Sequence, residues 1–106
     1  MAEHLGKITK ATFGCQRDYP FLFGLELTLS GSGWGTGTSI MVNTSPECKW
    51  ESLEQQLEAY QSVILKTKKL LEDAKIEYVH QLTGVPVEAT FVDRRLVDFR
   101  ILTEVL

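Results

Sequence analysis

Residues 21–37, Phe-Leu-Phe-Gly-Leu-Glu-Leu-Thr-Leu-Ser-Gly-Ser-Gly-Trp-Gly-Thr-Gly, carry the pattern that decides the fold. Apolar side chains occupy every second position of the first part: Phe21, Phe23, Leu25, Leu27 and Leu29. Successive side chains of a strand point to opposite faces, so this alternation predicts a strand with one buried and one solvated face. The fold is therefore expected to contain a half-buried sheet.

Glycine occupies every second position in the second part, from Gly31 to Gly37, with Trp34 at its centre. A short strand, residues 38–42, is predicted after it. A glycine-rich connection between two strands that can pair antiparallel indicates a wide hairpin loop, or a glycine-bearing strand end with bulges. The Trp34 side chain then either packs back on the core or contacts a ligand or partner. Both interpretations fit the sequence.

The segments on either side extend this framework. Upstream, residues 5–13 predict a strand that ends at Gly14. Downstream, a helix of about 25 residues is expected from the 3.6-residue period, beginning after a capping serine at Ser45 or at Ser52. Its core-facing stripe is predicted to comprise Leu53, Leu57, Tyr60, Ile64, Leu71 and Ala74, with Thr67 in the one gap and Val63 and Leu70 widening it.

The C-terminal third predicts a short helical turn over residues 78–84 and then a hairpin. Alternating apolar positions begin at Val87, a tight turn is expected at residues 93–95, and the last strand is expected to continue to the end of the chain. The prediction is thus one α+β domain, residues 1–106, with the order β-β-β-α-β-β. About five antiparallel strands pack against one long amphipathic helix. An oligomer contact is expected on the second face of the last strand: Leu96, Leu102 and Leu106.

Composition limits the function classes. The chain has 106 residues, 43% of them hydrophobic, and a formal net charge of −3. That charge provides no general attraction for polyanions, which disfavours generic nucleic-acid binding. We expect no membrane span and no signal peptide. The two cysteines, Cys15 and Cys48, indicate reduced thiols in the cytoplasm, although a bridge between them stays open at this point.

No residue set predicts catalysis, a metal site or a cofactor, because His4, His80 and the two cysteines have neither metal-ligand nor triad spacing. We therefore expect a protein that is not an enzyme. Backbone N–H groups of a glycine tract can approach an anion, and arginines can form a local basic patch. The candidate ligand- or partner-binding residues are Gly31, Gly33, Trp34, Gly35, Thr36, Gly37, Arg94, Arg95 and Arg100.

The element Gly33-Trp34-Gly35-Thr36-Gly37, the long helix after it and the segment Leu82-Thr83-Gly84-Val85-Pro86-Val87 resemble a group of small accessory proteins of tailed bacteriophages and prophages. Members of that group carry Lys or Arg where this chain has Val85. The resemblance implies a viral accessory protein that works in the host bacterial cytoplasm by binding rather than by catalysis.

Two functional hypotheses follow from these observations. In the first, the glycine-rich Trp34 loop of a phage-type binding protein sequesters or blocks a host component, either a defence protein or a small nucleotide signal, and the chain forms a homo-oligomer. In the second, a nucleic-acid-associated accessory protein of phage replication or recombination uses the arginines of its sheet and Trp34 to stack a base.

Overall fold

A computed structural model describes residues 2–106 and contains one antiparallel sheet with one long helix packed on it. The strands are β1 (Ala2–Cys15), β2 (Leu22–Gly31), β3 (Trp34–Asn43), β4 (Pro86–Val92) and β5 (Arg95–Ile101). Between β3 and β4 lie the helix α1 (Leu53–Ala74) and a 3₁₀ turn (Val79–Leu82), and a second 3₁₀ turn (Thr103–Val105) follows β5. The predicted α+β class and element order are confirmed.

The sheet order is β3-β2-β1-β4-β5, with β1 in the centre. The first half of β1 pairs with β4, from Ala2 to Lys7, and its second half pairs with β2 only. The pairing register shifts between Ile8 and Lys10, which marks a bulge. Since a bulge bends a strand and increases its twist, β1 turns from one neighbour to the other at this point and the sheet curls.

One face of the sheet forms the core, as the alternation in β2 predicts. Leu25, Leu27 and Leu29 are buried and lie on one face of β2. Directly paired residues share a face, so Ile8 opposite Leu29 extends this face across β1. Ala74, Leu82, Val85, Val87 and Ile101 complete the buried cluster. We call this surface the inner face of the sheet.

The helix begins at the second of the two predicted caps. Ser52 Oγ accepts a hydrogen bond from the Gln55 N–H at 3.0 Å, and Gln55 Oε1 accepts one from the Glu51 N–H at 2.8 Å. Ser45 instead stabilises a turn, where its Oγ accepts from the Glu47 N–H at 3.2 Å. The helix has 22 residues and ends where Lys75 adopts a left-handed conformation, with φ of 59°.

The predicted core-facing stripe of the helix is only partly right. The buried positions of α1 are Val63, Thr67 and Ala74. Leu53, Leu57 and Ile64, also predicted to face the core, are exposed. The stripe is wider than the sheet can cover, so the helix buries the side that carries Val63 and Thr67 and leaves the adjacent side in solvent.

The glycine tract does not form a wide loop, so that alternative is wrong. A two-residue turn, Ser32–Gly33, joins β2 directly to β3, and the register continues without a bulge from Gly31 opposite Trp34 to Leu22 opposite Asn43. Gly33 has a φ of 77°, which favours glycine. Gly35 and Gly37 are therefore strand residues, and β3 begins at Trp34 rather than at residue 38.

The expectation that the last strand runs to the chain end is also wrong. A register shift between Thr90 and Phe91 places Leu96 opposite Phe91. Leu96 therefore packs against the inner-face core instead of forming an outer apolar surface with Leu102 and Leu106. The oligomer contact predicted on those three residues loses its basis.

Within residues 2–106, no helix is long and apolar enough to cross a membrane.

Candidate functional site

A cleft of about 610 Å³ opens at one end of the sheet, where the two hairpin turns and the start of β1 lie side by side. The pairing of Ala2 with Phe91 and of Gly6 with Gly31 brings both turns to this end. The lining residues are Ala2, His4, Ser32, Gly33, Trp34, Gly35, Phe91, Asp93 and Arg94. None of them belongs to α1, so the cleft is built by the sheet and its turns.

Three aromatic rings from three different strands meet in the cleft. The ring centroids of Trp34 and Phe91 are 5.4 Å apart with an interplanar angle of 74°. His4 lies 5.6 Å from Phe91 and 6.3 Å from Trp34. Packing at these distances stabilises aromatic pairs, and all three rings line the cleft. The site therefore offers flat apolar surface suited to stacking.

The position of the Trp34 indole depends on two glycines. Gly6 of β1 and Gly31 of β2 are paired neighbours, and a Cβ added to either would overlap the indole. The ring therefore lies across bare backbone, half-buried against the inner-face core. One part of the indole packs on the protein, and the remainder lines the cleft.

The turn Asp93–Arg94 provides the charged groups of the cleft. Both residues have positive φ, 51° and 64°, as a two-residue type I′ hairpin turn requires. Asp is common at the first position, whereas the second usually holds glycine, because a side chain there costs about 1–2 kcal/mol. Arg94 thus occupies a strained position beside the aromatic rings, and such positions concentrate at functional sites.

The structure brings together only part of the predicted site. Gly33, Trp34, Gly35 and Arg94 line the cleft, and Gly31 lies beneath the indole. Thr36 is on the inner face opposite Leu29, and Gly37 is opposite the exposed Thr28 on the outer face.

Of the three candidate arginines only Arg94 lines the cleft, and Arg95 and Arg100 lie outside it. Arg95 is paired with Val92 and Arg100 with Glu88, both on the outer face. Arg100 is held there by carboxylates: its Nε donates to Glu88 at 3.1 Å and its Nη2 to Glu104 at 3.0 Å. Arg100 and Glu88 are direct cross-strand partners in this hairpin, where opposite charges stabilise the pair.

The Arg100 guanidinium lowers the pKa of the Glu104 carboxyl, chiefly through their hydrogen bonds. Arg100→Gln should return that pKa toward its ordinary value, and carboxyl NMR titration measures the change. Since the folded-state pKa is depressed, the stabilising contribution of Glu104 is present above its unfolded pKa and disappears as the pH falls through the folded value. An unchanged Glu104 titration in the variant would show that the pair is not formed in solution.

Sequence reasoning missed His4, Phe91, Ser32 and Asp93 as site residues. Their convergence depends on the pairing of β1 with β4, which joins residues distant in the sequence, for example Ala2 and Phe91. No local pattern indicates that pairing. The cysteines contribute nothing to the cleft: Cys15 and Cys48 do not line it, and both are free thiols in this structure.

Comparisons with protein-family models, with curated proteins and with solved structures found no match to this chain.

Proposed function

We propose that this protein is a non-enzymatic binding protein that holds a nucleotide-sized ligand in the cleft between its two hairpin turns. The observation that carries the proposal is the convergence of Trp34, Phe91 and His4 beside Arg94. Aromatic faces bind a nucleobase by stacking, at about 1–3 kcal/mol per base. Arginine binds phosphate oxygens through charge-assisted hydrogen bonds.

The backbone of the cleft supports the same chemistry. Ser32, Gly33 and Gly35 leave main-chain groups accessible near the rings. A ligand can thus stack on Trp34, form hydrogen bonds to the turn and place its phosphate near Arg94. The volume, about 610 Å³, lies within the roughly 300–1,000 Å³ typical of small-molecule sites.

The strain at Arg94 supports a binding role for this side chain. Glycine at the same place would relieve the left-handed strain, so retaining arginine costs stability. Arg94 takes part in none of the ion pairs formed among residues 2–106. Its guanidinium is therefore available to a phosphate that enters the cleft.

The resemblance to small accessory proteins of tailed phages and prophages implies a location and a target for the binding. The protein works in the host bacterial cytoplasm, where it sequesters a nucleotide signal or blocks a host defence protein. Sequestration requires only tight and stoichiometric binding. The groups that line the cleft are suited to this task.

Arg94→Gly should change stability and ligand affinity in opposite directions. We expect the variant to be more stable by about 0.5–1 kcal/mol, because glycine adopts positive φ without strain. We also expect its affinity for nucleotides to fall at least tenfold, since a lost charged hydrogen bond is worth about 1.5–3 kcal/mol. Calorimetric titration and denaturant unfolding measure the two effects. Arg95→Ala is the matched control, which removes a neighbouring charge on the outer face.

Fluorescence of Trp34 provides a direct readout of ligand binding. The second tryptophan, Trp50, packs edge-to-face on Tyr60 and does not line the cleft. Trp50→Phe therefore leaves Trp34 as the reporter. Saturable quenching by cyclic AMP or a cyclic dinucleotide, with weaker quenching by adenosine, supports the proposal. No quenching by any of these up to millimolar concentration, or quenching that Arg94→Gly leaves unchanged, contradicts it.

The same titration tests the nucleic-acid alternative. A single-stranded oligonucleotide that bound with a steep salt dependence, through several phosphates, would favour it. The separation of Arg95 and Arg100 from the cleft argues for a small ligand instead.

A further inference from the structure

The turn Asp93–Arg94 places two opposite charges next to each other in the cleft. The two residues are neighbours in the chain, and both line the cleft. They do not neutralise each other, since neither belongs to any of the ion pairs formed among residues 2–106. The cleft therefore presents a carboxylate and a guanidinium as two separate groups, beside the rings of Trp34 and Phe91. A ligand that complements both carries hydrogen-bond donors as well as an anion.

The carboxylate limits which part of a nucleotide lies against it. An ionised carboxylate only accepts hydrogen bonds, and like charges repel, so Asp93 disfavours the phosphate that Arg94 attracts. Asp93 is therefore suited to the other polar part of a nucleotide, which is the edge of the base. Proteins that hold an unpaired base read its Watson–Crick edge by hydrogen bonds while the base stacks on apolar or aromatic side chains. The rings that line this cleft are those of Trp34, Phe91 and His4.

The bases differ in the hydrogen-bond donors that their edges offer. The Watson–Crick edge of guanine carries two adjacent N–H donors, at N1 and at the N2 amino group, which match the two oxygens of a carboxylate. Adenine and cytosine each place one amino donor beside a ring nitrogen that accepts, and uracil places its one N–H between two carbonyl acceptors. A carboxylate repels each of these acceptors. Guanine is thus the base that gives one carboxylate two hydrogen bonds with no acceptor opposite either oxygen.

We propose that the cleft selects guanine nucleotides, with the guanine edge on the Asp93 carboxylate and the phosphate on the Arg94 guanidinium. This selection rests on the proposed function, because it names the base of the nucleotide that the cleft holds. The other polar side chains that line the cleft are Ser32 and His4. A hydroxyl and a neutral imidazole both donate and accept hydrogen bonds, so neither distinguishes the bases as sharply as a carboxylate, which only accepts.

Asp93→Asn tests the carboxylate without disturbing the turn. Asparagine is favoured at the first position of a type I′ turn, so the variant keeps the φ of 51° without added strain. The amide presents one acceptor and one donor, a pair that matches adenine but opposes one of the two guanine donors. The loss of one negative charge changes the attraction for every phosphate equally, so this effect cancels in the ratio of two nucleotide affinities.

Calorimetric titration with cyclic GMP, cyclic IMP and cyclic AMP measures that ratio. The three ligands share the same ribose and phosphate, and cyclic IMP keeps the N1–H donor of guanine but lacks its N2 amino group. For the wild-type protein we expect cyclic GMP to bind at least about tenfold more tightly than cyclic AMP, with cyclic IMP between them. In Asp93→Asn this preference should disappear. Asp18→Asn is the matched control, the same change in the exposed turn that precedes β2, at the other end of that strand from the cleft.

The outcomes separate the choice of base from the binding of a nucleotide. Equal affinity of the wild-type protein for cyclic GMP and cyclic AMP overturns the guanine selection and leaves the nucleotide site intact. A guanine preference that survives Asp93→Asn also overturns it, because Asp93 is then a turn residue only. If none of the three ligands binds up to millimolar concentration, the proposed function fails and the guanine selection with it. Weaker binding of all three to Arg94→Gly, at an unchanged ratio, supports the assignment of phosphate to Arg94 and base to Asp93.

Discussion

Gly31→Val should be among the most damaging single substitutions in this protein, lowering the free energy of unfolding by about 3 kcal/mol or more. A Cβ at Gly31 would overlap the carbonyl oxygen of Leu5 and the indole nitrogen of Trp34. The Leu5 oxygen belongs to the central strand of the sheet, so it cannot move aside as the end of a flexible side chain would. Valine must therefore both separate β1 from β2 and displace Trp34, and denaturant unfolding midpoints measure the cost.

Gly37→Val is the matched control for Gly31→Val. Gly37 lies in the adjacent strand, and a Cβ there would meet only the Leu27 carbonyl oxygen, at an ordinary 3.8 Å. Valine favours strands and restricts the unfolded chain, so we expect unchanged stability or a gain of up to about 1 kcal/mol. Adding Trp34→Ala to Gly31→Val should recover only part of the loss, because the Leu5 contact remains. Equal effects at Gly31 and Gly37 would show that the close approach does not exist.

The contrast between these glycines shows where sequence reasoning reached its limit. The spacing of Gly31, Gly33, Gly35 and Gly37 is visible as a pattern, but the four glycines do not share one physical role. Gly31 makes room for Trp34, Gly33 adopts positive φ in the turn, and Gly37 is an ordinary strand residue. Which glycine is indispensable depends on what lies across the sheet. That information is absent from the tract itself.

The strands and the helix were predictable because their signals are local. Alternation marked β2, the Ser52 capping box marked the helix start, and the order of elements gave the α+β class. The rotation of the helix was not predictable. Its apolar stripe is wider than one contact surface, and only the packing of the helix on the sheet shows that Thr67 is buried and Leu57 exposed.

The candidate site was predicted in part for the same reason. The sequence predicts Trp34 and Arg94 as binding residues from their residue types and from the turns next to them, and both line the cleft. His4 and Phe91 could not be chosen, because only long-range strand pairing places them there. Arg100 is predicted as a binding residue from its charge alone. Charge does not reveal the face of a strand, and its carboxylate partners hold it on the outer face.

Leu29→Ala should lower the free energy of unfolding by about 2–5 kcal/mol, the usual cost of removing a buried leucine side chain. Leu29 is fully buried in the centre of the inner face, where it pairs with Ile8. The rigid strands around it cannot collapse into the space left by alanine, so a cavity adds to the lost transfer free energy. Urea unfolding followed by circular dichroism measures the change.

Leu5→Ala is the matched control, since it removes the same atoms from a strand at a position that is 67% exposed. We expect a change within about 0.5 kcal/mol, as for most surface substitutions. Both variants should keep the same denaturant dependence, because neither alters the surface exposed on unfolding by much. A Leu5 variant as unstable as the Leu29 variant would mean that the outer face of β1 is covered, either by a partner or by a second copy. Repeating the measurement at several protein concentrations distinguishes such coverage from a misassigned core, because only an assembly makes stability depend on concentration.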